Sequence, residues 1–278
     1  MPELPEVETV KRSLEAKVTG LKIVKAHVFQ PKVARAGVFG DFAQTLEGKQ
    51  FVSFARRGKY LIASLTGGVC LVVHLRMTGR WVYAIAQTPV PKHTHIIFAL
   101  SDGNELRFTD LRRFGGMDLV ADTALSVHAG LAKLGVEPLS AEFTPELLRQ
   151  LVEGKRVKVK SLILDQAKIA GLGNIYADEA LFKAGINPER TAATLEGPEI
   201  KRLHAAIREV LQQGVDNKGT TFRDYVDGEG RQGSNQFSLN VYGRSGESCY
   251  QCGTTLAKMK IGGRTSVYCP NCQPTIEK

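Results

Sequence analysis

The first residues that could carry out chemistry stand at the start of the chain, which reads MPELPEVETV. Removal of the initiator Met would make Pro2 the N-terminal residue and would expose its secondary amine. An α-amino group titrates at roughly 7.7–8.0 against about 10.4 for lysine, so much more of it is unprotonated at neutral pH. Such an amine can condense with an aldehyde carbon to give an iminium, and the neighbouring Glu3 could move protons. From these residues alone, a processed but inert N-terminus is equally well supported.

Four of the five cysteines form a second pattern with chemical meaning near the C-terminus. Cys249 and Cys252 make one CxxC pair, and Cys269 and Cys272 make another, sixteen residues later. Two such pairs at this spacing are typical of a tetrahedral four-thiolate zinc site, so we predict one structural zinc ion. Two disulfides are the alternative, although no other feature indicates an oxidising compartment. The fifth cysteine, Cys70, lies in an apolar run and is predicted to be a buried thiol.

A glycine-containing stretch, AGLGNIYADE at residues 170–179, is a candidate phosphate site. Gly171 and Gly173 permit a tight turn, and Asn174 could cap a helix that begins at Ile175. The free amides at a helix N-terminus bind phosphate, and four cations stand upstream between positions 155 and 160. A corner between two helices without a ligand is the alternative.

Two further segments, HLRMTG and DLRRFGG, combine apolar residues with arginine next to glycines. Met77, Phe114 and Arg112 are of the types that proteins insert into a nucleic-acid duplex to unstack its bases. A Met and a Phe considered alone are more typical of a protein core, and that interpretation stays open here.

Composition restricts the classes of partner and location. The chain has 278 residues, of which 43% are hydrophobic, so a substantial core and two domains are expected. Lys and Arg exceed Asp and Glu by 37 to 28, giving a net charge of +9, which suits a polyanion such as nucleic acid. An inert basic surface would give the same total. The sequence has neither a run of 18 apolar residues nor a signal peptide, so we expect a cytoplasmic protein.

The elements expected to position these residues change in character along the chain. A helix is predicted with Pro5 at its first position and with Val7, Val10, Leu14 and Val18 on one face. The chain up to about residue 122 then predicts β-strands, including a hairpin turn at Asp102-Gly103.

From about residue 144 the patterns become helical. We predict one helix starting at Thr144-Pro145, one over 175–184, and one over 198–213 that ends at Gly214. The last of these has apolar residues on one face, namely Ile200, Leu203, Ile207, Val210 and Leu211. The polar, glycine-rich segment that follows is predicted to be a long loop, and loops of this length in compact domains are usually either functional or disordered.

These motifs together resemble one family over the whole chain. MPELPEVETV, RRGKYL, HLRMTG, KHTH, DLRRFGG, LGVEPL, LDQAKIAGLGNIYADEALF, VYGRSG and the CxxC pairs occur in the order seen in bacterial formamidopyrimidine-DNA glycosylases. The resemblance implies an α+β protein with a β-sandwich catalytic domain over residues 1–130 and a helix–two-turn–helix domain over 131–240. A loop near 217–238 would cover the extruded base, and residues 241–278 would form the zinc finger.

The resemblance also implies an activity and a set of site residues. The family excises oxidised purines such as 8-oxoguanine and formamidopyrimidines from duplex DNA, then cleaves the abasic strand by β,δ-elimination. By resemblance Pro2 is the nucleophile at C1′, Glu3 transfers protons, Lys59 assists β-elimination and Arg264 assists δ-elimination. The residues expected to contact DNA are His74, His93, Arg112, Lys155 and Asn174, and those expected to fill the void left by the flipped nucleotide are Met77, Arg112 and Phe114. The implied partner is double-stranded DNA with oxidised purines or abasic sites, bound by a monomer.

The chain departs from the family pattern at three places. Thr94 stands where the family usually has Asp, Leu111 where it often has Pro or Val, and Ser234-Asn235-Gln236 where it commonly has an aromatic residue.

The pyrimidine-directed endonuclease VIII type is the rival within the superfamily, but it typically has Gly at the position of Leu4. A non-catalytic DNA-binding protein would need neither Pro2 nor Lys59. A zinc hydrolase is disfavoured because four cysteine ligands leave no position for a reactive water.

Overall fold

The computed structural model describes residues 1–275, and the chain folds as two units that are each discontinuous in sequence. The first unit comprises Met1–Lys133 and Asn217–Gln236, and the second comprises Leu134–Asp216 and Phe237–Lys278. The segment 217–236 therefore belongs with the N-terminal residues and not with the helices that precede it. No helix in the described part of the chain is long and apolar enough to cross a membrane.

The N-terminal helix α1 (Leu4–Val18) is amphipathic in the way that its sequence predicts. Val7, Val10, Leu14 and Val18 are all at most 1% exposed. The helix begins one residue earlier than predicted, so Pro5 occupies its second position. This shift is tolerated because the amide of a residue in the first helical turn has no intrahelical acceptor, so proline loses no hydrogen bond there.

The first unit also contains two β-sheets, which share one core with α1. A four-stranded antiparallel sheet has the order β1-β7-β8-β6, and a five-stranded sheet has the order β2-β9-β5-β4-β3. The strands are β1 Ile23–Val28, β2 Ala34–Arg35, β3 Phe51–Arg57, β4 Tyr60–Leu65, β5 Val69–His74, β6 Gly79–Ala84, β7 Thr94–Leu100, β8 Glu105–Asp110 and β9 Gly116–Ala121, and a short helix α2 spans Phe42–Leu46. Every residue of β5 except the last is buried.

Several predicted features of this unit are confirmed. The predicted turn at Asp102-Gly103 connects β7 to β8, and Gly103 has a positive φ of 83°. Cys70 is 1% exposed, as expected of a core thiol. The residues buried between the sheets include Val73, Phe98 and Phe108.

Within the residues that the structure describes, the second unit contains four α-helices and a β-hairpin. The helices are α3 Pro145–Val152, α4 Val159–Ile163, α5 Asn174–Ala184 and α6 Gly197–Asp216, and the hairpin is β10 Ala257–Ile261 with β11 Arg264–Tyr268. Thr144 caps α3 as predicted, since its side chain accepts a hydrogen bond from the Leu147 amide. The five apolar residues predicted on one face of α6 are all buried.

Two predicted helix boundaries in this unit are wrong. Gly214 does not end α6, which continues to Asp216. A Cβ at this position would lie 2.5 Å from the Tyr176 ring, so the glycine lets this aromatic side chain of α5 pack directly against α6. Asn174 does not cap α5 either, because it is the first helical residue and Gly173 is the cap.

Candidate active site

Pro2 and Glu3 are fixed at the start of α1. Both residues are buried, and Glu3 is 3% exposed. The Glu3 amide donates to Glu6 Oε2 at 2.8 Å, and the Glu3 side chain accepts from the Glu6 amide, which completes a capping box. Because this reciprocal pair satisfies two helix-terminal amides, it holds the backbone next to Pro2 in one conformation. The sequence identifies Glu6 only as an acid in the first turn of the helix, whereas in the structure its carboxylate accepts from the Glu3 amide because it stands three residues after Glu3.

Lys59 and His74 are close enough to interact electrostatically in the same unit. Lys59 is 6% exposed and follows Gly58, whose φ of 56° allows the tight turn from β3 to β4. His74 ends β5 and packs edge-on against Tyr60, with ring centroids 4.5 Å apart. Burial lowers the pKa of His74 to about 3, and the positive charges of Arg76 and Lys59 contribute to this shift. The imidazole is therefore neutral at neutral pH.

The hydrogen bonding of His74 fixes its tautomer. Its Nδ1 accepts from the Arg76 amide at 2.9 Å, so in the neutral ring the proton is on Nε2. A neutral imidazole with an Nε2 proton can donate a hydrogen bond to an anionic oxygen such as a phosphate.

Met77, Arg112 and Phe114 come together on two neighbouring loops and are not core residues. Met77 is 43% exposed and Phe114 is 60% exposed. Arg112 joins them: its Nη1 lies 2.9 Å from Met77 Sδ, and its guanidinium stands 5.0 Å from the centroid of the Phe114 ring. An exposed cluster of two apolar side chains with an arginine favours the duplex-wedge interpretation over the core interpretation.

Asp110 organises these two loops, and sequence reasoning missed it. The carboxylate is 1% exposed. It accepts from the Thr78 hydroxyl, from the Arg112 amide at 3.1 Å and from the Gly115 amide at 2.8 Å. A buried carboxylate that is satisfied from both loops keeps them at a fixed separation. In sequence this residue is only the last polar position of a strand, so no local signal indicated its role.

His93 directly precedes β7 and is paired with Asp110 through the backbone. Its φ of 67° is a left-handed conformation that few residues other than glycine adopt. Its carbonyl accepts from the Asp110 amide at 3.0 Å, and the side chain is partly exposed. Thr94, one of the departures from the family pattern, donates its hydroxyl to the Pro91 carbonyl and so stabilises the turn before the strand.

The remaining predicted site residues lie in the second unit. Arg264 is exposed and opens β11, directly after the turn formed by Gly262 and Gly263. Asn174, at the start of α5, donates from Nδ2 to the carbonyl of Thr265 at 3.0 Å, so it binds the hairpin strand that carries Arg264. Lys155 is exposed on the turn after α3, available to an anion.

A buried ion pair next to Arg264 was not expected from the sequence. Lys160 and Asp178 have side chains that are 0% and 1% exposed, and their charged atoms are 2.6 Å apart. Lys160 also contacts the Ser266 hydroxyl and the Thr265 carbonyl, while Asp178 Oδ2 accepts from the Val267 amide at 3.1 Å. The pair therefore binds α4 and α5 to the middle of β11.

The four cysteines near the C-terminus fit one zinc ion. Their Sγ atoms all lie within 4.8 Å of one another. The Cys252–Cys269 and Cys249–Cys272 sulfur separations are 3.4 and 3.9 Å, too long for disulfides, so that alternative is not what the fold contains. Four sulfur donors at these distances match the tetrahedral thiolate shell of a structural zinc, which leaves no open position for catalysis.

Comparison with known proteins identifies the same family that the sequence motifs resemble, over nearly the whole chain. Family models match at residues 1–117 (formamidopyrimidine-DNA glycosylase N-terminal domain), 134–226 (formamidopyrimidine-DNA glycosylase H2TH domain) and 246–275 (zinc finger found in FPG and IleRS). A formamidopyrimidine-DNA glycosylase of Pelotomaculum thermopropionicum is 53% identical over 98% of this chain and 99% of its own length. The chain belongs to the formamidopyrimidine-DNA glycosylase family.

Solved structures of Lactococcus lactis FPG agree in fold. A point mutant of that protein in complex with DNA containing Fapy-dG has a TM-score of 0.92 and 37% identity, covering 99% of this chain and 100% of that one. The wild-type protein in complex with DNA containing an oxidised pyrimidine has a TM-score of 0.91 and 36% identity, with the same coverage. The α+β fold with a zinc finger, expected from the sequence, is confirmed, and zinc is the metal of this family's finger.

Proposed function

We propose that the chain is a base-excision repair enzyme that removes oxidised purines, including 8-oxoguanine and formamidopyrimidines, from duplex DNA and then cleaves the abasic strand. The arrangement at the start of α1 carries this proposal. A proline that becomes N-terminal when Met1 is removed is followed by a buried glutamate whose backbone is fixed by the Glu6 carboxylate. A protein that only bound DNA would have no use for this arrangement.

The proposed reaction assigns one step to each group. The Pro2 nitrogen attacks C1′ and gives up its proton, the bond from C1′ to the base breaks, and the base leaves in protonated form with Glu3 as the proton donor. The bond from C1′ to O4′ then breaks, O4′ takes a proton that Glu3 shuttles, and the opened sugar is held as an iminium on the Pro2 nitrogen. The resulting iminium withdraws electrons, so a proton leaves C2′ and the bond to the 3′ phosphate breaks, with Lys59 assisting. Arg264 assists the second elimination, which releases the 5′ phosphate. Water then hydrolyses the iminium and restores the amine.

The proposed DNA contacts follow from the exposure and charge of the remaining residues. His74 offers an Nε2 proton, and Lys155 is an exposed cation; with His93, Arg112 and Asn174 these residues form the proposed DNA-binding set. Met77, Arg112 and Phe114 fill the stack that the flipped nucleotide leaves. The net charge of +9 supports binding to a polyanion. We propose that the protein acts as a monomer in the cytoplasm, on nucleoid DNA.

Retention of Met1 provides the decisive experiment. With Met1 attached, the Pro2 nitrogen is a tertiary amide whose lone pair is delocalised, so it cannot attack C1′. We expect protein that retains Met1 to bind an 8-oxoguanine duplex but to form no covalent band with sodium borohydride. Protein whose Met1 has been removed should give the band, mapped to the N-terminal peptide.

Mass spectrometry of the intact protein measures the fraction that retains Met1 and serves as the control. A trapped band at the N-terminal peptide of fully Met1-retaining protein would contradict the proposed nucleophile, and a band at Lys59 would identify that lysine instead. An oxidised-pyrimidine duplex tested in parallel measures the substrate range, since the L. lactis relative was solved with such DNA. Faster excision of the pyrimidine than of 8-oxoguanine would favour the pyrimidine-directed alternative.

A further inference from the structure

The segment 217–236 of the first unit folds back so that its two ends are in direct contact. The Ser234 amide donates to the Asn217 carbonyl at 2.9 Å, and the Asn235 amide donates to the Gly219 carbonyl at 3.1 Å. A Cβ at Gly233 would lie 2.1 Å from the Gly219 carbonyl oxygen. The backbones at this junction approach so closely that only glycine fits at position 233.

The Asn235 side chain joins the two ends of this segment. It is 2% exposed. Its Nδ2 donates to Thr220 Oγ1 at 2.9 Å, and its Oδ1 accepts from Asn217 Nδ2 at 3.2 Å. A buried amide is stabilising only when its donor and acceptor are both satisfied, and here both are. An apolar side chain of similar size would leave polar atoms of Asn217 and Thr220 without these bonds.

Thr220 connects this junction to the N-terminal end of α1. Its amide donates to Glu6 Oε1 at 2.7 Å, while Glu6 Oε2 accepts from the Glu3 amide at 2.8 Å. The two oxygens of one carboxylate therefore hold the segment and the backbone of Glu3 at the same time. Tyr225 adds a second attachment, since its hydroxyl donates to the carbonyls of Lys218 at 3.1 Å and Glu6 at 3.3 Å.

Building on the proposed function, we propose that Asn235 is a positioning residue for base excision, which holds Thr220 against Glu6 and thereby aligns the segment 217–236 with Pro2 and Glu3. Release of a base requires that the base be held while Pro2 attacks C1′. Cleavage at a preformed abasic site has no base to hold. Loss of the Asn235 amide should therefore slow the first reaction and leave the second nearly unchanged.

Single-turnover rates on two duplexes, one with 8-oxoguanine and one with a preformed abasic site, test this inference. We expect Asn235→Leu to slow base excision about tenfold, the effect of one lost hydrogen bond between buried groups, and to change abasic-site cleavage by less than about threefold. Asn104→Ala is the matched control, since it removes an Asn of the same unit whose Nδ2 donates to the Tyr83 hydroxyl at 2.7 Å. The control should change neither rate.

Thr220→Val provides a second variant that keeps the backbone bond to Glu6 and removes only the hydroxyl. Because Asn235 and Thr220 share one hydrogen bond, the double variant should be no slower in base excision than about the slower single variant. Hydrogen exchange adds a readout that is independent of catalysis: the Thr220 amide should exchange at least about tenfold faster in Asn235→Leu than in the control.

Four outcomes would overturn the assignment: an Asn235→Leu variant as active as the wild type, equal losses on both duplexes, additive effects in the double variant, or an unchanged Thr220 amide. These outcomes are distinguishable from failure of the proposed function. Processed wild-type protein that releases no 8-oxoguanine contradicts the proposed function, whereas an active wild type with an equally active Asn235→Leu variant contradicts only the role of Asn235.

Discussion

The buried ion pair between Lys160 and Asp178 should contribute far more to stability than an exposed pair of the same geometry. The second unit offers the comparison directly: Lys183 and Glu209 are also 2.6 Å apart, but their side chains are 49% and 57% exposed. Lys160→Met leaves the Asp178 carboxylate buried without its countercharge, which costs about 3–5 kcal/mol. Lys183→Met removes an exposed pair, for which the expected loss is below about 1 kcal/mol.

The chain contains separate reporters for its two units, which makes this prediction measurable. Trp81 is the only tryptophan and lies in the first unit, so its fluorescence follows unfolding there. Zinc release to a colorimetric chelator during a guanidinium titration follows the second unit. Lys160→Met should shift the zinc-release midpoint to lower denaturant and leave the Trp81 transition in place. Lys183→Met should shift neither by a comparable amount.

A second substitution distinguishes loss of charge balance from loss of packing. Adding Asp178→Asn to Lys160→Met removes the uncompensated charge and keeps an acceptor for the Val267 amide, so about 2 kcal/mol should return. A cost for Lys160→Met no larger than that for Lys183→Met would refute the reasoning. The same conclusion would follow if the double variant were less stable than Lys160→Met alone.

Four further predictions follow from the site. Cys252→Ser, or chelation of zinc, should unfold the hairpin and weaken DNA binding while the Trp81 transition persists; full-rate DNA cleavage by metal-free protein would contradict this role. Lys155→Ala should reduce the slope of log K against log salt by about 0.9 for one lost phosphate contact, and an unchanged slope would remove Lys155 from the contact set. Phe114→Ala should slow 8-oxoguanine excision far more than cleavage at an abasic site, because only excision must open an intact stack; equal losses would indicate a general binding role. Burial lowers the pKa of His74 to about 3, whereas an unfolded histidine titrates at about 6.5, so between these pH values the unfolded chain binds more protons than the folded one. The free energy of unfolding should therefore fall as the pH drops through this window. His74→Gln should lose less stability than the wild type between pH values of about 7.5 and 5, as measured by unfolding curves at both.

The parts of the fold that the sequence predicts are those specified by local patterns. The buried face of α1 follows from apolar residues at helical spacing, and the zinc site follows from two CxxC pairs. Strand β1 lies in the region predicted to form strands, but its own residues do not mark it, because it is an edge strand with only Ile23 and Ala26 buried and lacks the alternation by which strands are identified. Gly214 was misinterpreted because a glycine that ends a helix and a glycine that accommodates a ring look alike in sequence.

In the candidate site, too, the sequence predicts some residues and does not predict others. Pro2, Glu3, Lys59 and Arg264 were nominated by their chemistry or by resemblance. The residues that hold such groups in place were not, because each acts on atoms far away in sequence. Asn235 is the clearest case, since its bonds reach residues 15 and 18 positions earlier. In sequence it is only part of a departure from the family pattern, whereas in the fold its side-chain amide both donates and accepts a hydrogen bond.

Three buried carboxylates explain how exposed or reactive groups can be held precisely by loops and helix ends. Glu6, Asp110 and Asp178 are each at most 2% exposed, and each accepts backbone amides, from Thr220, from Arg112 and Gly115, and from Val267 respectively. A carboxylate has about four acceptor positions, so one side chain can fix several segments. Burial without those donors would be strongly unfavourable, which means that any displacement of the segments is opposed by the desolvation of a charge. The positions of Pro2, of the loop that carries Phe114 and of Arg264 are therefore held by three acids that take no part in the proposed chemistry.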